Sequence, residues 1–379
     1  MKPLLALLLA LCATALAWAG EPRLVKSYQL PRPVEPGHGP IREQVLDGDT
    51  LVTLYEIASD RLSPGYTSLL VVHEREGDGW VERGRFDGYS PCRSCHIGRL
   101  GQGMVLSGDH LLVGSDEGRW VSGAVYAFHR TPQGWKASAR WAPSSQLHAS
   151  YGSAIAVHGD WAMVGAPNID VGWFPFRQPA RGVVYVYRFV NGEWQSEGEL
   201  APEGEPVSDF GRAIALNADT AVIGVSRGAP RVFRLNRGRW RQEAVLEKAT
   251  RLAIGSASVD VGARAAVAVT QDTAHVFHRP AGTWEAAVEV PRPHPYVYGT
   301  AQLAGDWVLV FFLAPTPPGA HRGPGQWLVA RWRPLGSTER WVLTAPAGFE
   351  FQGDRAKPGR EGRWVLQGDN GWVHEYQLD

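Results

Sequence analysis

The chain has 379 residues, with 38 Lys and Arg against 38 Asp and Glu, 44% hydrophobic residues, 44 Gly, 27 Pro, 16 Trp and three Cys. Balanced charge gives no electrostatic ground for a nucleic-acid partner or an anionic membrane surface, and Gly and Pro together stay below the share that marks low complexity. The apolar content supports a large core, which excludes disorder, and the patterning excludes collagen, a coiled coil and a multi-span membrane protein.

Residues 1–19 read as an export signal. Met1-Lys2-Pro3 is the positive start, Leu4 to Leu16 the apolar run, and Ala17-Trp18-Ala19 a small-x-small cleavage site before Gly20. The run is too short to span a bilayer, and no later stretch reaches the roughly 18 apolar residues a span requires. Leu9-Ala10-Leu11-Cys12 loosely resembles a lipid-attachment box but fails, because Leu11 is bulky and the apolar run continues past Cys12. Cleavage after Ala19 leaves a single domain, residues 20–379, with two cysteines, Cys92 and Cys95. The expectation is an exported monomer, periplasmic or extracellular, that is not integral to a membrane.

Beyond Leu24–Leu30, itself strand-like, the chain repeats. Leu100–Gly114 and Tyr151–Gly165 share one grammar, an aromatic or aliphatic residue plus Gly, an alternating run, a Gly-Asp turn and a second apolar run. Phe210–Gly224 and the stretch from Ile254 follow it, and in all four the Gly at 101, 152, 211 or 255 precedes the turn by seven residues. Weaker copies run from His38 to Asp49, from Tyr298 to Asp306 and from Phe351 to Gly362, giving units that start near 38, 98, 150, 209, 253, 297 and 350. Each continues through a variable loop into a run such as Val183-Val184-Tyr185-Val186-Tyr187, then a Gly turn followed by Trp80, Trp135, Trp194, Trp240, Trp284 or Trp341.

Period-2 alternation predicts half-buried strands, and the Gly-Asp and Asn-Gly pairs predict short hairpins. Units of four short strands, recurring about every 52 residues, cannot bury both faces alone. Arranged radially they can. The predicted fold is all-β, a seven-bladed β-propeller of four-stranded antiparallel blades. The last unit is one strand short, so Leu24–Leu30 is expected to close it as an outer strand. The repeated Trp are expected to pack between blades.

The string Tyr151-Gly-Ser-Ala-Ile-Ala-Val-His-Gly-Asp through Val164-Gly165-Ala166-Pro167 resembles the FG-GAP repeat of integrin-type propellers, and Phe210–Gly224 and Leu100–Gly114 match nearly as well. The resemblance implies the propeller fold and an extracellular or surface protein that binds protein or glycan partners, often with calcium in blade loops. It departs from the family at the calcium loop, an Asp-x-Asp-x-Asp-Gly run. Asn168-Ile169-Asp170 and Asp116-Glu117 are the nearest remnants, with fewer oxygens than the six to eight or so that calcium takes. Calcium is not expected.

In four-stranded meanders the 1–2 and 3–4 turns share one end of the disc, and the 2–3 and 4–1 connections share the other. The turns are short and regular, whereas Ser115–Ser122, Ala166–Arg181 and Ala314–Gln326 vary widely, a pattern expected where function sits on loops. Within Val171–Arg177, the residues Trp173, Phe174, Phe176 and Arg177 suit a binding anchor, since rigid aromatics lose little entropy on docking. They suit equally a cover for the blade edge.

Cys92-Arg93-Ser94-Cys95-His96 is a C-x-x-C-H string in a 4–1 connection. One reading is haem c, with two thioethers to one haem edge and His96 on the iron. Another is a disulfide between Cys92 and Cys95, as an oxidising compartment favours. A metal or redox-active pair is the third. His38, His148 and Met104 could supply a sixth haem ligand by position, although Met104 suits strand packing. The other histidines are scattered, and His275 and His278 should point to opposite sheet faces. No Gly-x-Ser-x-Gly, His-Glu-x-x-His or phosphate loop appears, so no catalytic residue is assigned. The sequence therefore points to a non-enzymatic propeller that binds a protein or glycan and needs no cofactor. The alternative is a haem c electron carrier.

Overall fold

The computed structural model describes residues 22–30, 41–58, 66–77, 79–87, 99–116, 123–143, 148–169, 182–204, 207, 209–225, 228–250, 252, 259–291, 298–304, 307–313, 325–332, 338–343, 355–358, 363–367 and 372–377. Strand β1 (Arg23–Gln29) opens the chain but pairs with its end. The first sheet is β2 (Ile41–Asp47), β3 (Thr50–Ala58), β4 (Tyr66–Glu76) and β5 (Gly79–Asp87). The second is β6 (Arg99–Ser107), β7 (His110–Asp116), β8 (Ala124–Thr131) and β9 (Gly134–Trp141). After β10 (His148–Ala149), the third holds β11 (Ile155–His158) and β12 (Trp161–Ala166), then, past β13 (Asn168–Ile169), β14 (Val183–Val190) and β15 (Glu193–Leu200).

The fourth sheet is β16 (Ala213–Asn217), β17 (Thr220–Gly224), β18 (Arg231–Asn236) and β19 (Arg239–Val245). The fifth is β20 (Val259–Val261), β21 (Ala265–Val269), β22 (Thr273–His278) and β23 (Glu285–Pro291). The sixth is β24 (Tyr298–Ala304), β25 (Trp307–Leu313), β26 (Gly325–Trp332) and β27 (Thr338–Val342). These six meanders each follow the chain outward. A further four-stranded sheet is composite, in the order β1, β30 (Trp372–Gln377), β29 (Arg363–Gln367), β28 (Arg355–Pro358). Its strand from the chain start pairs antiparallel with the last one, Arg23 opposite Gln377 and Gln29 opposite Trp372. Among the described residues no helix is long and apolar enough to cross a membrane.

The sheets stand side by side through their inner strands: β2 by β6, β6 by β11, β11 by β16, β16 by β20, β20 by β24 and β24 by β28. The row then closes on itself. Tyr28, Val365 and Val373 of the composite sheet pack with Leu46, Leu51 and Trp80 of the first. This is a β-propeller. Its cohesion is apolar and lies between sheets: Leu51, Leu54 and Leu70 are fully buried, each contributing about 1.5–3 kcal/mol by area. Exposed ion pairs at the rim, such as Arg85 with Glu82 at 2.8 Å, contribute about 0–1 kcal/mol.

Local chemistry sets the meander. In the inner hairpins Gly48, Gly108 and Gly159 take φ near +55°, at 57°, 57° and 54°, while the Asp that follows does not, the type II′ pattern that matches strand twist. The carbonyls of Asp49, Asp109, Asp160 and Asp219 accept the N–H of Arg75, Arg130, Phe189 and Leu235 from the third strand. The outer hairpins use Asn191-Gly192 and Arg237-Gly238 with φ positive at both residues, as type I′ requires.

The repeated tryptophans pack between sheets, as expected. Trp135 lies in a core shared by the first and second sheets. Trp194 packs against Trp141 of the second sheet, with ring centroids 5.5 Å apart, and Trp240 against Trp161 of the third at 5.7 Å. Trp341 has its side chain outside the described residues. The outer strands add a second contact of the same kind. Phe86 of β5 meets Phe128 of the next sheet at 4.5 Å, and Trp141 of β9 stacks on Tyr187 at 3.9 Å.

Candidate functional site

The meander order puts the short hairpins at one end of the propeller and the 2–3 and 4–1 connections at the other. Both sequence-derived sites lie outside the described residues: Cys92, Cys95 and His96 in the chain between β5 and β6, and Trp173, Phe174, Phe176 and Arg177 in the chain between β13 and β14.

The second of these loops has two firm feet. On its N-terminal side β13 pairs with β10, Ile169 opposite His148 and Asn168 opposite Ala149, which ties it to the connection entering the same sheet. On its C-terminal side Gly182 abuts the backbone of Phe210 in the next sheet. The described residues on either side of 170–181 are therefore held by backbone contacts.

The aromatic-Gly repeat explains that second foot. Gly152 and Gly211 have φ of 83° and 91°, a left-handed backbone that glycine adopts freely. Each donates its N–H across its own sheet, Gly152 to Gly165 at 3.0 Å and Gly211 to Gly224 at 3.1 Å. Each also leans on the preceding sheet, where Gly114 faces Gly152 and Gly165 faces Gly211 without room for a β-carbon. Gly123 and Gly182 meet Tyr151 and Phe210 in the same way. The motif is thus a backbone-to-backbone clasp between neighbouring blades at the root of the loop end.

Polar groups elsewhere stitch blades together. Asp47 accepts from Gly108 N at 2.9 Å, Asn217 donates to Val261 O at 3.3 Å, and Asp260 accepts from Leu303 N at 2.7 Å. Glu74 receives the indole N–H of Trp135 at 3.0 Å and faces Arg130 at 3.4 Å. Glu243 does the same for Trp284 at 3.0 Å and for Arg279. Arg130 and Arg279 occupy matching places at the end of the third strand, yet their glutamates come from β4 and β19, so sequence alone could not pair them.

Asp260 among them has a displaced titration. Burial between the fifth and sixth sheets pushes its pKa up to about 6, against the N–H bonds from Leu303 and Val261, which pull it down. Because the folded carboxyl holds its proton more tightly than the unfolded one, its contribution to stability is greatest below about pH 4 and is lost as pH rises through about 6. In Asp260→Asn, the fall in Tm between about pH 4 and pH 7 should be smaller than in the wild type. Parallel Tm profiles for the two proteins would refute this.

The histidines do not form a centre. His275 faces Glu289 at 3.6 Å and His278 faces Glu285 at 4.0 Å, on opposite sheet faces as expected. Burial lowers the pKa of His73, His110, His275 and His374, so they stay neutral as packing residues. Tyr151 and Tyr187 share a buried hydroxyl hydrogen bond of 2.8 Å, and burial raises both phenols. Of the positional haem ligands, Met104 is buried in the core with Val45 and Leu54, His148 contributes its backbone to the β10–β13 ribbon, and His38 lies outside the described residues. Of the calcium remnants, Asn168 is in that ribbon and Asp116 ends β7, while Asp170 and Glu117 are outside. Among the described residues no three or more His, Cys, Asp or Glu gather as a metal site would need.

No protein-family model matches this chain, and no curated protein does. Among solved structures, the crystal structure of the computationally designed Ika8 protein covers 90% of this chain and 98% of its own, at 14% identity and a TM-score of 0.46. The propeller assignment rests on the chain's own sheet order and on the closing contact between its composite and first sheets.

Proposed function

We propose that this is an exported, FG-GAP-like propeller of seven blades, the composite sheet being the seventh, that binds a protein or glycan at its loop end. It acts as a monomer without catalysis and without calcium. One observation carries the reading: regular hairpins occupy one end, and the described residues flanking 170–181 are held by a strand ribbon on one side and a glycine clasp on the other. A loop with fixed feet presents Trp173, Phe174, Phe176 and Arg177 at reduced entropic cost, which favours recognition. Replacing Trp173, Phe174 and Phe176 together by Ala should abolish capture of the native partner from the source compartment and leave Tm unchanged. Undiminished capture would remove this loop from the interface.

The C-x-x-C-H string favours a second reading in which Cys92, Cys95 and His96 carry haem c for electron transfer. The competing fate is a Cys92–Cys95 disulfide. An absorbance spectrum of protein purified from the native compartment separates them. A Soret band supports haem, whereas its absence together with no alkylatable thiol leaves the disulfide.

A further inference from the structure

We propose that the β18–β19 hairpin is a docking strip for a linear acidic polysaccharide, a chain bearing carboxylates or sulfates at regular intervals. The strip belongs to the hairpin end of the propeller, opposite the aromatic loop, and the proposal stands independently of that loop's role. In a chain with no net charge, residues 231–242 read Arg-Val-Phe-Arg-Leu-Asn-Arg-Gly-Arg-Trp-Arg-Gln, with five arginines and no acid.

The pairing of these arginines is unfavourable for folding. Arg234 stands directly across from Arg241, and like charges in that position oppose each other. Arg234 is compensated by Asp219 at 2.6 Å. Arg237, Arg239 and Arg241 are exposed, and no ion pair joins them to a carboxylate among the described residues. Equivalent hairpins do otherwise. In the first sheet Arg83 meets Glu76 and Arg85 meets Glu82, and in the second Arg130 meets Asp109 at 3.2 Å.

Geometry selects the class of anion. Arg239 and Arg241 are two residues apart on one strand, so they project from the same face about 7 Å apart, with Arg234 alongside across the ladder. Guanidinium forks grip carboxylates and sulfates through paired N–H donors. A stacking platform for nucleic-acid bases is lacking here, because Trp240 is turned inward onto Trp161. Apolar anchors for a membrane surface are lacking too: the exposed large hydrophobics of the described residues are Leu24, Val25 and Val81, on the outer strands of the composite and first sheets.

The test uses the full chain with polygalacturonate and dextran sulfate as probes, at low ionic strength. The wild type should bind both. Arg237→Gln, Arg239→Gln and Arg241→Gln combined should weaken binding about tenfold and flatten its salt dependence by about three contacts, with Tm no lower than in the wild type, since Arg234 then no longer faces a like charge. Should the triple variant fold poorly, Arg241→Gln alone should weaken binding about threefold. A control with Arg83, Arg85 and Arg140 changed to Gln should bind as the wild type does. The proposal is overturned if neither probe binds, if the arginine variants bind undiminished, or if duplex DNA or phosphatidylglycerol vesicles bind the strip more tightly than either polysaccharide.

Discussion

Deleting residues 20–30 should lower the melting temperature by roughly 10 °C. The strand removed is the outer member of the composite sheet, and its loss strips one whole edge from β30. It also takes away Tyr28, which packs with Trp80 and Val373 and lies under the Arg75 guanidinium at 5.5 Å. Burial and nearby Glu375 push the Tyr28 phenol up to about 12, so it remains a neutral packing group. In place, Tyr28 does for the ring's closing boundary what Phe86 and Trp141 do for the first two. A ladder edge and one half-buried aromatic are worth on the order of 5 kcal/mol, or about 2 °C per kcal/mol in a large domain. Calorimetry of the truncated protein checks it, and a melt identical to the full chain would show that β1 is not structural.

Gly182→Ala should destabilise the protein by about 3 kcal/mol or more, the upper range for forced overpacking. A β-carbon there would fall within contact distance of the Phe210 carbonyl and 2.5 Å from its nitrogen. Phe210 cannot yield, because it is wholly buried and packed with Phe233 and Val184. The informative comparison is Gly159→Ala. Gly159 has nothing within 4 Å of a β-carbon but a φ of 54°, so its variant isolates the backbone penalty, about 1–2 kcal/mol. Urea unfolding of both variants measures the difference. If Gly182→Ala costs no more than Gly159→Ala, the clasp is looser than described and the foot of the aromatic loop is not fixed.

How much of this was legible in the sequence depends on the range of the interaction. Strand alternation and turn glycines are local, so the blade period and the hairpin types could be read from runs such as Val183–Tyr187 and Asn191-Gly192. The tryptophan positions were readable because they recur at a fixed place after the outer turn. The aromatic-Gly pair was visible as a motif, but its work as a clasp was not, since Gly165 and Gly211 lie 46 residues apart and meet only when two blades pack. Asp260 gave no signal at all, because its decisive donor, Leu303, lies 43 residues further on. The arginines of β18–β19 were hidden by the chain's overall neutrality. Cys92–His96 and Trp173–Arg177 occupy connections with no periodicity, so residue type and loop position were all the sequence offered.

The pairing of Arg23 with Gln377 also dictates when the molecule can become whole. Every other sheet draws on a continuous stretch of chain and can form as that stretch is made. The composite sheet brings together segments some 350 residues apart, so the first strand must wait, unpartnered and exposing its backbone, until β30 has been synthesised. Joining the most distant segments is entropically the slowest step of such a topology, and it makes the opening segment the one most in need of protection before folding ends.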